Sequence, residues 1–187
     1  MESKSYSNGA VILHWLIAIL LIAQIAGGLY AADLPREQLD LKRELFQLHK
    51  SFGIVILLLT LVRIGWRFAY KAPPLPAAIP GWEKLAARVA HVGFYVLLLA
   101  IPLTGWAHVS TSPRVVPTVL FGVIPWPDFP FLSRGKEITE FFEEAHEIGA
   151  KLAILLIVLH IGGALKHQFV NRDEVLARML PFLKKAG

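Results

Sequence analysis

Four apolar blocks, separated by short polar stretches, set the pattern of this chain. No Asp, Glu, Lys or Arg occurs from Ser5 to Ala32, and the other blocks are Ser51–Val62, Val89–Val109 and Leu152–Leu165. A helix that crosses the hydrocarbon core of a bilayer needs about 20 mostly apolar residues. The first and third blocks meet that length as they stand. The second meets it if Arg63 and Arg67 reach out to the interface, and the fourth if Lys151 and Lys166 do the same. The pattern therefore predicts four membrane-spanning helices near 9–31, 47–69, 87–109 and 146–168. The expected fold class is all-α, an integral membrane four-helix bundle, with residues 1–187 forming one domain and no internal repeat. A cleaved leader is the alternative for the first block. Its apolar stretch is longer than the usual leader core, only Lys4 precedes it, and cleavage would discard His14.

The intervening stretches read by composition. Lys71–Gly81 holds four prolines and predicts a semi-rigid connection. Ser110–Arg134 is apolar, aromatic and broken by five prolines, so it cannot span and is expected on the outer surface of the bundle. Glu137–Glu147 reads as a short acidic amphipathic helix leading into the fourth span, and Pro102 is expected to kink the third.

Composition agrees. The chain is 55% hydrophobic with a mean hydropathy of +0.54, too apolar for a soluble domain. Cysteine is absent, which excludes thiolate-ligated iron–sulfur clusters, disulfides and covalently attached c-type haem. The isoelectric point of 9.6 does not point to nucleic acid, because charge is sorted by membrane side. The side with both termini and the loop between helices two and three carries eleven Lys/Arg against four acids; the other carries eight against ten. The net charges of +7 and −2 place both termini in the cytoplasm by the positive-inside rule, in a bacterial inner membrane. Trp66, Phe68 and Tyr70 fit an aromatic belt at the cytoplasmic end of helix two.

The candidate chemistry lies in the histidines. His146 and His160 are fourteen residues apart. That is nearly four helical turns, so both fall on one face, roughly 21 Å apart along the axis. His49 opens helix two at the depth of His146, and His14 lies near the start of helix one at the depth of His160. The expected pairs are His49/His146 outside and His14/His160 inside. Zinc prefers four tetrahedral ligands, often with Cys. Two imidazoles at each depth instead match the two axial positions of a haem iron, and filled axial positions favour electron transfer over oxygen activation. Gly27, Gly28, Gly53, Gly149 and Gly162 offer room for close approach. A single membrane histidine often only hydrogen-bonds across helices; four at two matched depths are costly and read as functional. His91 and His108, seventeen apart on helix three, share no face and are expected to make interface or core hydrogen bonds. Arg63 and Arg67, one turn apart, are placed either to clamp haem propionates or to reach lipid phosphates. His167 and Lys71 are candidates for a quinone oxygen or a propionate on the cytoplasmic side, His167 equally for an exposed interfacial position. Lys50 and Lys151 flank the outer pair and are candidates for a propionate or an incoming anion.

His14-Trp15, His49-Lys50-Ser51-Phe52-Gly53, Arg63 with Arg67, and His146-Glu147 followed by His160 together resemble the bacterial cytochrome b561 family of four-helix dihaem membrane proteins, over essentially the whole chain. Cytochrome b subunits of membrane hydrogenases and formate dehydrogenases are similar in ligand arrangement. The resemblance implies two haem b groups, with His14, His49, His146 and His160 as axial ligands, and exchange with quinone. One branch of the family oxidises superoxide on the periplasmic side and passes the electron to ubiquinone. Three readings follow: a superoxide:ubiquinone oxidoreductase, an electron-transfer subunit that docks a periplasmic or membrane redox partner, and a non-redox helical scaffold. The partners expected are membrane lipid, quinone, and superoxide or a periplasmic redox protein, with no nucleic acid.

Overall fold

A computed structural model describes residues 5–180. Four long helices carry the fold: α1 Asn8–Asp33, α2 Leu39–Ala69, α3 Gly81–Thr111 and α4 Lys136–Lys166, which runs on into a π-helical turn at His167–Asn171. All four are long and apolar enough to cross a membrane. Each covers one of the four apolar blocks, α1 from Asn8 onward, and α2, α3 and α4 start six or more residues before the predicted spans. Helix α2 starts at Leu39 rather than near 47, and α3 covers 81–111. The acidic stretch 137–147 is not a separate helix; it forms the first turns of α4. The physical reason is the lack of a strong breaker between Lys136 and Lys166. Gly149 alone costs only about 1 kcal/mol relative to Ala, too little to stop a helix held by its neighbours. Helix α3 likewise continues through Pro102.

Helix starts follow local chemistry. Ser7 caps α1, its Oγ accepting from the Ala10 N–H at 3.4 Å and from Trp66 Nε1 at 2.9 Å. That second bond ties the start of α1 to the end of α2. Gln24 Nε2 donates to the His49 carbonyl at 2.7 Å and ties the same two helices at the other end.

The helices pack in sequence order: α1 on α2, α2 on α3, and α3 on α4. Neither α1 nor α2 packs closely on α4. Helix α4 is thus packed on α3 and held off from both α1 and α2. Its small core joins Ile17, Ile56 and Leu98, with Leu20, Leu21, Leu59 and Phe94 against them. Many large apolar side chains face outward, such as Val158 at 62% and Leu159 at 61% exposure, as lipid-facing positions do.

The Pro-rich segment between α3 and α4 lies over the ends of α2 and α3, and it contains an element that the sequence pattern does not announce. Thr118–Leu120 (β1) and Ile124–Trp126 (β2) form a short antiparallel hairpin. Phe121 and Gly122, both at positive φ, make its turn. Two serines hold the segment down, Ser51 within α2 and Ser110 at the end of α3. The Ser51 hydroxyl donates to the Gln47 carbonyl and accepts from the Phe121 N–H at 2.9 Å. The Ser110 hydroxyl donates to the Trp106 carbonyl and accepts from the Phe129 N–H at 2.8 Å. Phe121 also meets Phe52 edge-on at 5.1 Å.

Candidate functional site

The histidines meet where α4 stands off from α1 and α2. His49 of α2 faces His146 of α4 with ring centroids 6.0 Å apart, and His14 of α1 faces His160 of α4 at 6.2 Å. Each pair spans two helices whose backbones do not pack closely, so the imidazoles reach toward each other across a gap. Two imidazole nitrogens that bind one metal from opposite sides, at about 2 Å each, set their ring centroids roughly 6 Å apart. Both pairs have that spacing.

The outer pair is shaped in more detail. A Cβ at Gly28 would lie 2.9 Å from His49 Cε1, and a Cβ at Gly105 would lie 2.9 Å from both Cε1 and Nδ1 of His146. Any side chain at either glycine would push a ring out of place. His146 Nδ1 sits 2.8 Å from the Ile101 carbonyl. A carbonyl only accepts, so Nδ1 carries the proton and neutral His146 keeps its Nε2 lone pair for a metal. His49 Nδ1 is buried on the ring edge that faces Gly28 and has no hydrogen-bond partner among the described residues, so no protein group competes for its ring nitrogens. Spacing, cradles and lone pair all fit a planar group held between two imidazoles. Among the described residues, no group of three or more His, Cys, Asp or Glu side chains is arranged to hold a bare metal ion.

The inner pair has a different setting. Arg63 Nη2 donates to His14 Nδ1 at 3.3 Å, and its Nε donates to the Tyr95 hydroxyl at 3.4 Å. Phe94 packs edge-on against His160 at 5.2 Å. His91, for which the sequence suggests an ordinary hydrogen bond, makes none among the described residues. Its ring instead lies 5.9 Å from that of His160. The inner site is therefore a cluster of three imidazoles. The spacing along α3 could not reveal this, because it depends on how α3 is rotated against α4. His108 does follow expectation, with Nδ1 3.2 Å from the Thr139 carbonyl.

The remaining candidates fall around these pairs. Arg63, Arg67 and Lys71 line one cavity of about 500 Å³ with Trp66, Tyr70 and Tyr95. His167 stands apart from it: Nδ1 is 2.6 Å from Asp173 and Nε2 is 3.7 Å from Glu83, which also pairs with Lys166. Both of its ring nitrogens thus already face carboxylates. On the outer side Lys50 donates to the Pro117 carbonyl at 3.4 Å, and Lys151 pairs with Glu147 at 3.3 Å.

Comparison with known proteins agrees with this geometry. The model of a family described as prokaryotic cytochrome b561 matches residues 5–182. Cytochrome b561 homolog 2 of Escherichia coli (strain K12) is 35% identical over 95% of this chain and 92% of its own length. Probable superoxide oxidase CybB of Yersinia pestis is 29% identical, covering 98% of this chain and 99% of its own. Cytochrome b562 of Cereibacter sphaeroides is 30% identical over 96% of this chain and 97% of its own.

Proposed function

The chain belongs to the prokaryotic cytochrome b561 family, and from that premise we propose that it is a dihaem superoxide:ubiquinone oxidoreductase of the bacterial inner membrane. Family membership makes it a bacterial membrane cytochrome b that transfers electrons and uses haem b. The finer reading assigns His49 and His146 to an outer haem and His14 and His160 to an inner one, within a single integral membrane domain whose termini are cytoplasmic. The observation that carries it is the two imidazole pairs, at 6.0 and 6.2 Å, across the gaps that separate α4 from α2 and from α1.

When bound at these pairs, haem b supplies a one-electron iron couple. The protein's own residues set the conditions. Ile101 fixes the His146 tautomer and ring angle through the 2.8 Å bond. Gly28 and Gly105 keep the outer imidazoles in register. At the inner pair, a neutral His14 that ligates through Nε2 must carry its proton on Nδ1. It can then no longer accept from Arg63. The guanidinium, freed from His14, would be placed to take a propionate, with Lys71 lining the same cavity. The net reaction balances as two superoxide ions oxidised to oxygen for each quinone reduced to quinol, with two protons taken up. The relative named as a probable superoxide oxidase supports the donor.

A second reading, an electron-transfer subunit that docks a redox partner, is favoured by the outward side chains of the α3–α4 segment: Val123 is 78% exposed, Ile124 56% and Phe131 fully. Pure, haem-loaded protein decides between them. Quinone reduction driven by superoxide, absent in a haem-free control, supports the oxidase; haem retention without that activity supports the docking subunit.

A further inference from the structure

A second cytoplasmic-end cavity, also of about 500 Å³, opens between the end of α2, the Pro73–Leu75 connection and the first turns of α3. Three cations line it, Arg67, Lys84 and Arg88, and no carboxylate does. Lys84 Nζ reaches a backbone carbonyl, that of Ala77, at 3.2 Å. Neither Arg67 nor Arg88 makes a hydrogen bond or an ion pair with any described residue. The nearest acid on the same helix, Glu83, is held by Lys166 and Asn171 instead. Two guanidiniums that share a concave site without an anion lack the partner their donor forks are shaped for.

The surroundings indicate which anion. Leu75 and Val92 line the same cavity as the cations. From Val92 an outward apolar stripe runs one turn farther along α3 to Val96, the two being 57% and 58% exposed. The polar end thus sits at the helix terminus, and the apolar track runs into the membrane-spanning part. A free anion would need only the first; a molecule with a phosphate at one end and a hydrocarbon chain at the other uses both. We propose that this cavity binds an anionic glycerophospholipid, its phosphate on Arg88, Lys84 and Arg67 and one acyl chain along Val92 and Val96. Basic recesses between spanning helices are known to take such headgroups. The proposal does not depend on the electron donor or on the haem ligands.

Native mass spectrometry of the purified, haem-loaded protein tests it, after exchange into a neutral detergent with equal phosphatidylglycerol and phosphatidylcholine. The wild type should retain phosphatidylglycerol preferentially. Each basic residue near an anionic lipid contributes a preference of roughly fivefold, so R88Q/K84Q should retain roughly 25-fold less. R36Q/K136Q, the same charge change at the opposite end of the helices, should behave as wild type. An unchanged haem spectrum checks that R88Q/K84Q is folded. V92W, which blocks the acyl track and leaves every cation in place, should also lose the lipid. Equal retention of both lipids, loss in R36Q/K136Q to the same extent, or full retention by V92W would each overturn the proposal. So would displacement of the lipid by millimolar inorganic phosphate, since the site would then be one for the free anion.

Discussion

At the residue scale, the two glycines beside the outer histidines make the sharpest demand. A methyl group at either position would stand 2.9 Å from an imidazole atom. Gly105→Val should therefore displace His146 from the Ile101 carbonyl and weaken outer haem retention by roughly 10–100-fold, as loss of orienting contacts does at metal sites. Titration of apoprotein with haem measures it, and Gly27→Val, with open space beyond its Cα, is the matched control. Gly28 is legible in the sequence as half of a Gly-Gly pair on the helix that carries His14, whereas Gly105 has no such signal. It matters because α3 turns it toward α4, and nothing in a local pattern reports rotation between helices. The same limit hides the contact of His91 with His160. Arg63 is legible only as one of two arginines on a face; its bond to His14 separates it from Arg67. Arg63→Gln should lower the inner reduction potential relative to wild type, since a cation near the iron favours its reduced state, and leave the outer one unchanged. Potentiometric titration in the two α-bands reads both.

At the scale of elements, hydropathy locates all four helices because each must bury an apolar run of about 20 residues or face lipid with it. It misjudges their ends. Outside the bilayer, α2 and α4 continue on polar, helix-forming residues that carry no span signal, such as Asp40–Glu44 and Lys136–Glu144. The β-hairpin is hidden because each strand has three residues, too few for a period-two pattern, and because Pro117 precedes the first strand while Pro125 lies inside the second. Tertiary hydrogen bonds hold it instead. Ser51→Ala removes the acceptor for the Phe121 N–H and should cost about 1–3 kcal/mol, seen as a lower Tm of the haem-loaded protein. If Ser51→Ala and Ser110→Ala each leave Tm and haem content unchanged, the two serines do not anchor this segment.

For the whole molecule, the division of charge bears on the proposed orientation and on the approach of a donor. The end that carries the α1–α2 and α3–α4 connections has a net charge of −2, which opposes an incoming anion. Around the outer pair, Arg43 is paired with Asp40 and Lys151 with Glu147, while Lys50, next to His49, has no carboxylate partner among the described residues. If superoxide is the donor, Lys50→Glu should slow its oxidation severalfold at low salt. The difference should shrink as ionic strength rises toward 0.15 M, where charges are screened within about 8 Å. A difference that salt does not alter would assign Lys50 a packing role. The pairing of histidines by depth is readable from the spacing along α4 together with the places of His14 and His49 near the starts of the first two spans. That both pairs bridge gaps, one between α4 and α1 and one between α4 and α2, is not, because it follows from α1 folding back on α2 and α3 on α4.

The central claim is two haems on two separate imidazole pairs. Counting haem per polypeptide, with His49→Ala and His14→Ala beside the wild type, tests it most directly. The account predicts two in the wild type and one in each variant, with complementary spectra: each variant loses the band the other keeps. One haem in the wild type, or identical spectra in the two variants, would contradict it.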